Sequence, residues 1–272
     1  MFELHKKPKQ INGFTPYLYG RWYCGNSKVL NYVEYIKRPF KIVSNLSCSR
    51  GAQILDIGCD FGYLLMWIKH KFKHVDCIGI DICKKSVNFG NELSKINGYD
   101  IELEYGSAFK MRFEDNFFDV IVSSETFEHI VQNERINCLK ECYRVLKSGG
   151  VMLVTTPNKY GIAEIVKKTL GRIDYARKVI PMLPNSKTDK TGWVVDNENN
   201  DIMVNDAESI GSLRKKVKEV GFEILQQEQF LFIPEITPNF LFKIMLIIES
   251  FFEKLRIFNC FATSQFIMFR KP

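Results

Sequence analysis

Residues 52–65, AQILDIGCDFGYLL, decide how the rest of the chain is read. A run of apolar and β-branched residues (53–57) meets a turn with glycines at 58 and 62, and a second apolar run of helical spacing begins at 63. Strand, glycine turn and helix together let backbone amides approach a nucleotide. The dinucleotide pattern G-x-G-x-x-G is not met. Asp60 holds its second glycine position and Tyr63 its third, and a carboxylate beside a pyrophosphate is repulsive. No G-K-S/T follows, which excludes a phosphate loop. Asp56, two residues before the first glycine, suits a ligand that carries an ammonium group.

Outward from this turn the chain alternates. Strands are expected at 75–81, 101–105, 117–124 and 151–156, with helices at 63–72, 84–96 and 133–147. Asn97-Gly98 and the KSGG of 147–150 read as helix stops. An earlier helix is expected over 27–46. The pattern lapses from 158 to 205 and resumes with a helix N-capped by Asp206 and stopped at Gly221. A strand (222–233), an apolar helix (239–255) and a closing strand (264–270) follow. Strands alternating with helices imply a mostly parallel sheet covered on both faces, with ligands at the strands' carboxyl ends.

At 272 residues and 46% apolar composition the chain can bury a large core. Its net charge of +7 is uneven: residues 1–50 hold nine Lys or Arg against Glu3 and Glu34, so the remainder is balanced. Such a basic arm is either a solvated face or an attractor of anions, nucleic acid included. The start MFELHKKPKQ has no apolar core behind its charges, and the eight cysteines form no C-x-x-C pair. A reducing, cytoplasmic setting is expected. Lys243 and Glu249 interrupt the apolar run of 239–255 too soon for a bilayer span.

Five motifs in order resemble the class I S-adenosylmethionine-dependent methyltransferases, particularly their small-molecule branch. Asp56-Ile57-Gly58-Cys59-Asp60-Phe61-Gly62 is similar to the family's acid-x-Gly-x-Gly-x-Gly, with Asp60 in place of the middle glycine. Asp81 ends the next strand as the family's second acid does, where a carboxylate can accept both ribose hydroxyls. Gly106-Ser107-Ala108-Phe109, followed by EDNFFDVIV, resembles the adenine segment, with Ser107 where the family has aspartate. SSETFEHI (123–130) resembles the strand end that faces cofactor and substrate, and YRVLKSGGVMLVTTPN (143–158) the turn into the fifth strand.

The resemblance implies a doubly wound, mostly parallel seven-stranded sheet with its last strand antiparallel, over 51–157 and 206–272. Composition and pattern make 1–50 a basic, aromatic N-terminal helical segment and 158–205 an insertion or lid shaping the acceptor site. The resemblance implies S-adenosyl-L-methionine as cofactor, bound by Asp56, Gly58, Cys59, Asp60, Gly62, Asp81, Ile82, Ser107, Ala108, Phe109 and Ser124. It implies methyl transfer; with no asparagine-proline-proline-aromatic segment, oxygen of a small, lipid-linked or sugar-linked acceptor leads, RNA follows from the basic residues 1–50, and cofactor binding without turnover from Asp60 and Ser107.

His129 and Glu125 are the candidate catalytic bases, a structural histidine at a helix start being the plainer reading of the first. His70 and His74 space like zinc ligands on a helix, but with no third ligand nearby they read as an exposed face, and no metal is expected. Cys59 reads as a small turn residue, with no activating base beside it. FTPYLYGRWY (14–23) reads either as an aromatic flap, with Arg21 near the cofactor carboxylate, or as a segment packed on the sheet edge. Seven Lys or Arg against Asp174 and Asp189 over 167–190 would attract an anionic acceptor or simply solvate the segment. The helix over 239–255 is expected to cover the core or an interface, with peripheral membrane contact as the alternative.

Overall fold

The computed structural model describes residues 4–16, 32, 36–165, 193–195, 202–204, 206–233, 239–254 and 256–272. A short helix, α1 (Arg38–Ser44), precedes the alternating part: β1 (Gln53–Ile57), α2 (Tyr63–Lys71), β2 (Asp76–Asp81), α3 (Lys84–Asn97), β3 (Glu102–Tyr105) and β4 (Phe118–Ser124). Then come α4 (Arg135–Val145) and β5 (Leu146–Pro157), a two-stranded ribbon of β6 (Trp193–Val195) and β7 (Ile202–Val204), α5 (Ile210–Val220), β8 (Glu223–Phe230), α6 (Phe242–Lys254) and β9 (Ser264–Arg270).

Seven strands lie in the order β3-β2-β1-β4-β5-β9-β8. Strands β1 to β5 pair in parallel, and β9 runs antiparallel to both β5 and β8. The expected doubly wound, mostly parallel sheet with an antiparallel last strand is therefore what the chain forms. Alternation along β1 shows why both faces need cover. Ile54 faces a core with α1, α2 and α3, while Leu55 and Ile57 face one with α4 and α5. All four of Ile54 to Ile57 are buried, as expected of a strand with helices on both sides.

Several element ends differ from expectation, each for a local reason. Helix α4 stops at Val145, and the KSGG segment belongs to β5. There the Gly149 amide donates to Lys271 O at 2.8 Å and the Lys271 amide to Gly150 O at 3.0 Å, so the segment is tied beyond β9 rather than ending a helix. Asp206 is not the cap of α5. Ser209 is, its hydroxyl accepting from the Ser212 amide, while the Asp206 amide donates to Glu128 O. His74 lies beyond the end of α2, so His70 and His74 do not share a helix face; among the described residues no metal-binding cluster occurs.

Of the helix expected over 27–46, α1 is the described α-helical part, while 27–31 and 33–35 lie outside the described residues. So do residues 17–23 with Arg21, and most of 158–205. Helix α6 only half covers the protein. Met245 and Leu246 pack on the core, and Phe252 stacks on Phe232 at 5.4 Å. Ile244, Ile247 and Phe251 stand 54%, 72% and 60% exposed. Among the described residues no helix is long and apolar enough to cross a membrane.

Candidate active site

The motifs converge because parallel pairing brings the ends of β1, β2 and β4 to one edge. Asp56 pairs in register with Gly79 and Val122, and β2 ends two residues later at Asp81. The turn after β1 is fixed by hydrogen bonds from the Gly58 and Cys59 amides to Ile80 O, at 2.9 and 3.1 Å. Gly58 (φ 70°) must be glycine. A Cβ there would sit 2.3 Å from both Oγ1 and Cγ2 of Thr126, whose hydroxyl is itself held by Ile57 O at 3.1 Å.

Asp60 adopts the same left-handed conformation, φ 47°, with a side chain that prefers other regions. Its amide donates to Oδ2 of Asp81 at 2.9 Å, and the Cys83 amide donates to Oδ1 at 2.8 Å. Two amides therefore aim the Asp81 carboxylate. The Asp60 carboxylate is turned toward Ser86, whose hydroxyl donates to it, and accepts from the Phe61 amide.

Three carboxylates thus gather at one sheet edge, and Asp81 raises the other two. Burial first and Asp81 second hold Asp56 well above the usual carboxylate range. The same two causes push Asp60 up to about 7. Burial raises Asp81 too, against the pull of the two amides and of His129. Burial, with the carboxylates around it, also pushes the Cys59 thiol well up, so it is an inert small residue.

Around them, Ile82 and Phe109 are apolar yet 65% and 46% exposed. The Ser107 hydroxyl accepts from the Phe109 amide at 3.3 Å, which shapes the loop carrying Ala108. Ser124 at the end of β4 hydrogen-bonds the Thr155 hydroxyl at 3.0 Å.

Beyond Ser124 lies a second group. Glu125, also left-handed at φ 56°, forms a 2.9 Å ion pair with Arg38 from α1. Arg38 is 5% exposed and its Nε donates to Ser264 Oγ at 3.3 Å. Glu128 is buried and pushed up to about 7 by that burial, with the Thr156 hydroxyl donating to it at 3.2 Å. His129 stands exposed beside it at the end of a single 3₁₀ turn, Phe127–His129, close enough to Asp81 to bias its charge. The edge therefore carries a cation-seeking half at β1 and β2 and a mixed, proton-accepting half at β4 and β5.

A methyltransferase-domain family matches residues 55–154, which hold Asp56, Asp60, Asp81 and the SSETFEHI segment. Residues 55–154 are thus a methyltransferase domain, similar to those of S-adenosylmethionine-dependent methyltransferases. Similar proteins are methyltransferases of varied small molecules. The phosphoethanolamine N-methyltransferase of Plasmodium falciparum (isolate 3D7) is 32% identical over 46% of this chain and 47% of its own length. The ubiquinone biosynthesis O-methyltransferase of Pelagibacter ubique is 29% identical over 71% of this chain and 76% of its own.

The methyltransferase fold is shared with a crystal structure of an S-adenosylmethionine-dependent methyltransferase from Aquifex aeolicus, at TM-score 0.55 and 13% identity over 89% of this chain and 93% of that one. The chain spans about half the length of the Plasmodium enzyme, 47%, and 23% of an Arabidopsis thaliana phosphoethanolamine N-methyltransferase.

Sequence reading missed Arg38, Glu128, Thr126 and Thr156. Arg38 and Ser264 lie 226 positions apart, and no local pattern marks such a pair. Glu128 had a signal, being the residue before His129 in a short apolar-flanked turn.

Proposed function

We propose that this chain transfers a methyl group from S-adenosylmethionine to a small, lipid-linked or sugar-linked acceptor, foremost at oxygen. The observation that carries this reading is the trio Asp56, Asp60 and Asp81, three carboxylates that burial raises, with repulsion from Asp81 raising the other two, and that a cation would relieve. A pyrophosphate would worsen that repulsion, whereas an ammonium and a sulfonium relieve it. The cofactor supplies an electrophilic methyl on a cationic sulfur.

This chain's own residues then do the following. Asp81, aimed by the Asp60 and Cys83 amides, would hold the cofactor by accepting hydrogen bonds from its ribose hydroxyls, and Asp56 would face its ammonium. Ile82 and Phe109 flank a flat apolar ring, with Ser107 and the amides of Ala108 and Phe109 at its polar edge. Alignment of the acceptor lone pair with the carbon–sulfur bond supplies most of the rate. A hydroxyl acceptor also loses a proton. His129, exposed at the edge, takes it, and Glu128 behind it is the alternative base. Glu125 is committed to Arg38 and acts as a positioning residue.

Thermal-shift titration tests the binding step. Saturation at a hundred times Kd adds about 2.7 kcal/mol, so S-adenosylhomocysteine should raise Tm while NAD leaves it unchanged. Release of S-adenosylhomocysteine in the presence of hydroxylated, aminated and RNA acceptors then tests turnover. Stabilisation by NAD alone would sink the reading; binding without turnover on any acceptor would leave a cofactor-binding protein.

A further inference from the structure

We infer that Asp60, standing where a glycine would serve the turn, makes the site sense the charge of its cofactor: its carboxylate ionises when the sulfonium form binds and is reprotonated when the neutral-sulfur product takes its place. The inference rests on the cofactor reading above and goes beyond it in assigning a role to the residue that breaks the motif.

Geometry carries it first. A non-glycine residue at φ 47° costs free energy that glycine would not, so the side chain is held there against local preference. The backbone of Asp60 is coupled to Asp81 by the 2.9 Å amide hydrogen bond, which keeps the two carboxyl groups in one small space. Ser86, buried on the first turn of α3, and the Phe61 amide fix the carboxylate by donating to it. Two donors therefore hold the carboxylate of this half-buried residue in place.

Electrostatics follow from that placement. The charged group facing Asp60 is Asp81 from β2, which His129 faces in turn; the Cys59 thiol of the same turn feels Asp56, Asp60 and Asp81, and Lys84 and Lys85 of α3 are exposed. Burial first and Asp81 second push Asp60 up to about 7. S-adenosylmethionine brings a sulfonium and an ammonium against one carboxylate, a net of about one positive charge. The product lacks the sulfonium and is net neutral. The first therefore favours ionised Asp60 and the second does not. On methyl transfer the sulfur keeps the bonding pair and loses its charge, and Asp60 recovers a proton from solvent. Product retention weakens relative to cofactor binding as a result.

Isothermal titration calorimetry of the full chain, with S-adenosylmethionine and S-adenosylhomocysteine at pH 6, 7 and 8, tests this. Wild-type affinity for S-adenosylmethionine should rise about tenfold from pH 6 to 8, as expected for a group titrating near 7. In paired buffers at pH 7 about half a proton should be released on binding. Affinity for the product should change less than about twofold over the same range.

Asp60→Asn, whose side chain tolerates the left-handed region, and Asp60→Gly should abolish the pH dependence. Both should weaken S-adenosylmethionine about tenfold at pH 8 while leaving the product within about twofold, a split that lost folding would not produce. A pH dependence that survives in Asp60→Asn overturns the inference and assigns the proton to Asp56, Asp81 or His129. Failure of both ligands to bind wild type at every pH overturns the cofactor reading itself, and this inference with it.

Discussion

Arg38 Nη2 lies 2.9 Å from Glu125 Oε2, and both side chains are largely shielded from water. The pair joins α1 to the end of β4 across 87 positions of sequence. Removing one member of such a pair leaves an uncompensated buried charge, at a cost of about 3–5 kcal/mol. Arg38→Met should therefore lower Tm by roughly 10 °C, read by circular dichroism, and Arg38→Met with Glu125→Gln should recover much of that loss. A single variant as stable as wild type would show the pair to be dispensable.

Gly58 is the tightest point of the turn. Alanine there brings a methyl group to 2.3 Å from Thr126 atoms in a conformation with φ 70°. Gly58→Ala should cost about 2 kcal/mol or more and displace the loop that carries Glu125. Urea denaturation measures the first effect and loss of cofactor binding the second.

Stability of the ligand-free protein should depend on pH in a two-sided way. Asp60 and Glu128 titrate at about 7 in the fold, above their unfolded values, so the native state holds more protons than the unfolded chain up to that pH. Stability from these groups is full below the ordinary carboxylate range and falls as pH rises toward 7. Glu208, Glu141 and Asp119 are shifted down by Lys216, Arg144 and Lys147 against their burial, so their contribution is lost as pH falls below about 4. Urea midpoints should peak in mildly acidic buffer. In the double variant Asp60→Asn, Glu128→Gln the decline toward pH 8 should flatten.

His129 stands exposed, so its replacement should not disturb the fold. His129→Gln should lower kcat about a hundredfold for a hydroxyl acceptor with Tm and cofactor affinity nearly unchanged. Should kcat hold in His129→Gln and drop in Glu128→Gln, the buried acid is the base.

The sheet was legible because its signals are local. Ile54-Leu55-Asp56-Ile57 and Val120-Ile121-Val122 are apolar runs of strand length, and Asn97-Gly98 ends α3 with Gly98 at φ 74° as its composition predicts. The acids were legible for the same reason: Asp56 and Asp81 lie at strand ends that parallel pairing brings together. Element ends decided by tertiary contact were not. Gly149 reads as a helix stop until its amide is seen bonded to Lys271 O, and Asp206 reads as a cap until its amide is seen bonded to Glu128 O. The group around Arg38 was least legible, since Arg38, Glu125, Thr156 and Ser264 come from four segments far apart in sequence. Asp60 was visible as a departure from pattern, but its engagement with Ser86 required the fold.

The position of β9 has a consequence for how the chain reaches its native state. Among the described residues, strand β8 pairs only with β9, and β9 joins it to β5, which ends 66 positions before β8 begins. While a ribosome is still making residues 264–270, β1 to β5 can already pair, yet β8 has an open edge and Ile267 and Phe269 are missing from the core that α4 and α5 share. Contacts of such long sequence separation close slowly. A nascent chain paused just before residue 264 should therefore be an aggregation-prone intermediate with an unfilled slot, one that a chaperone would need to shield until the missing strand arrives.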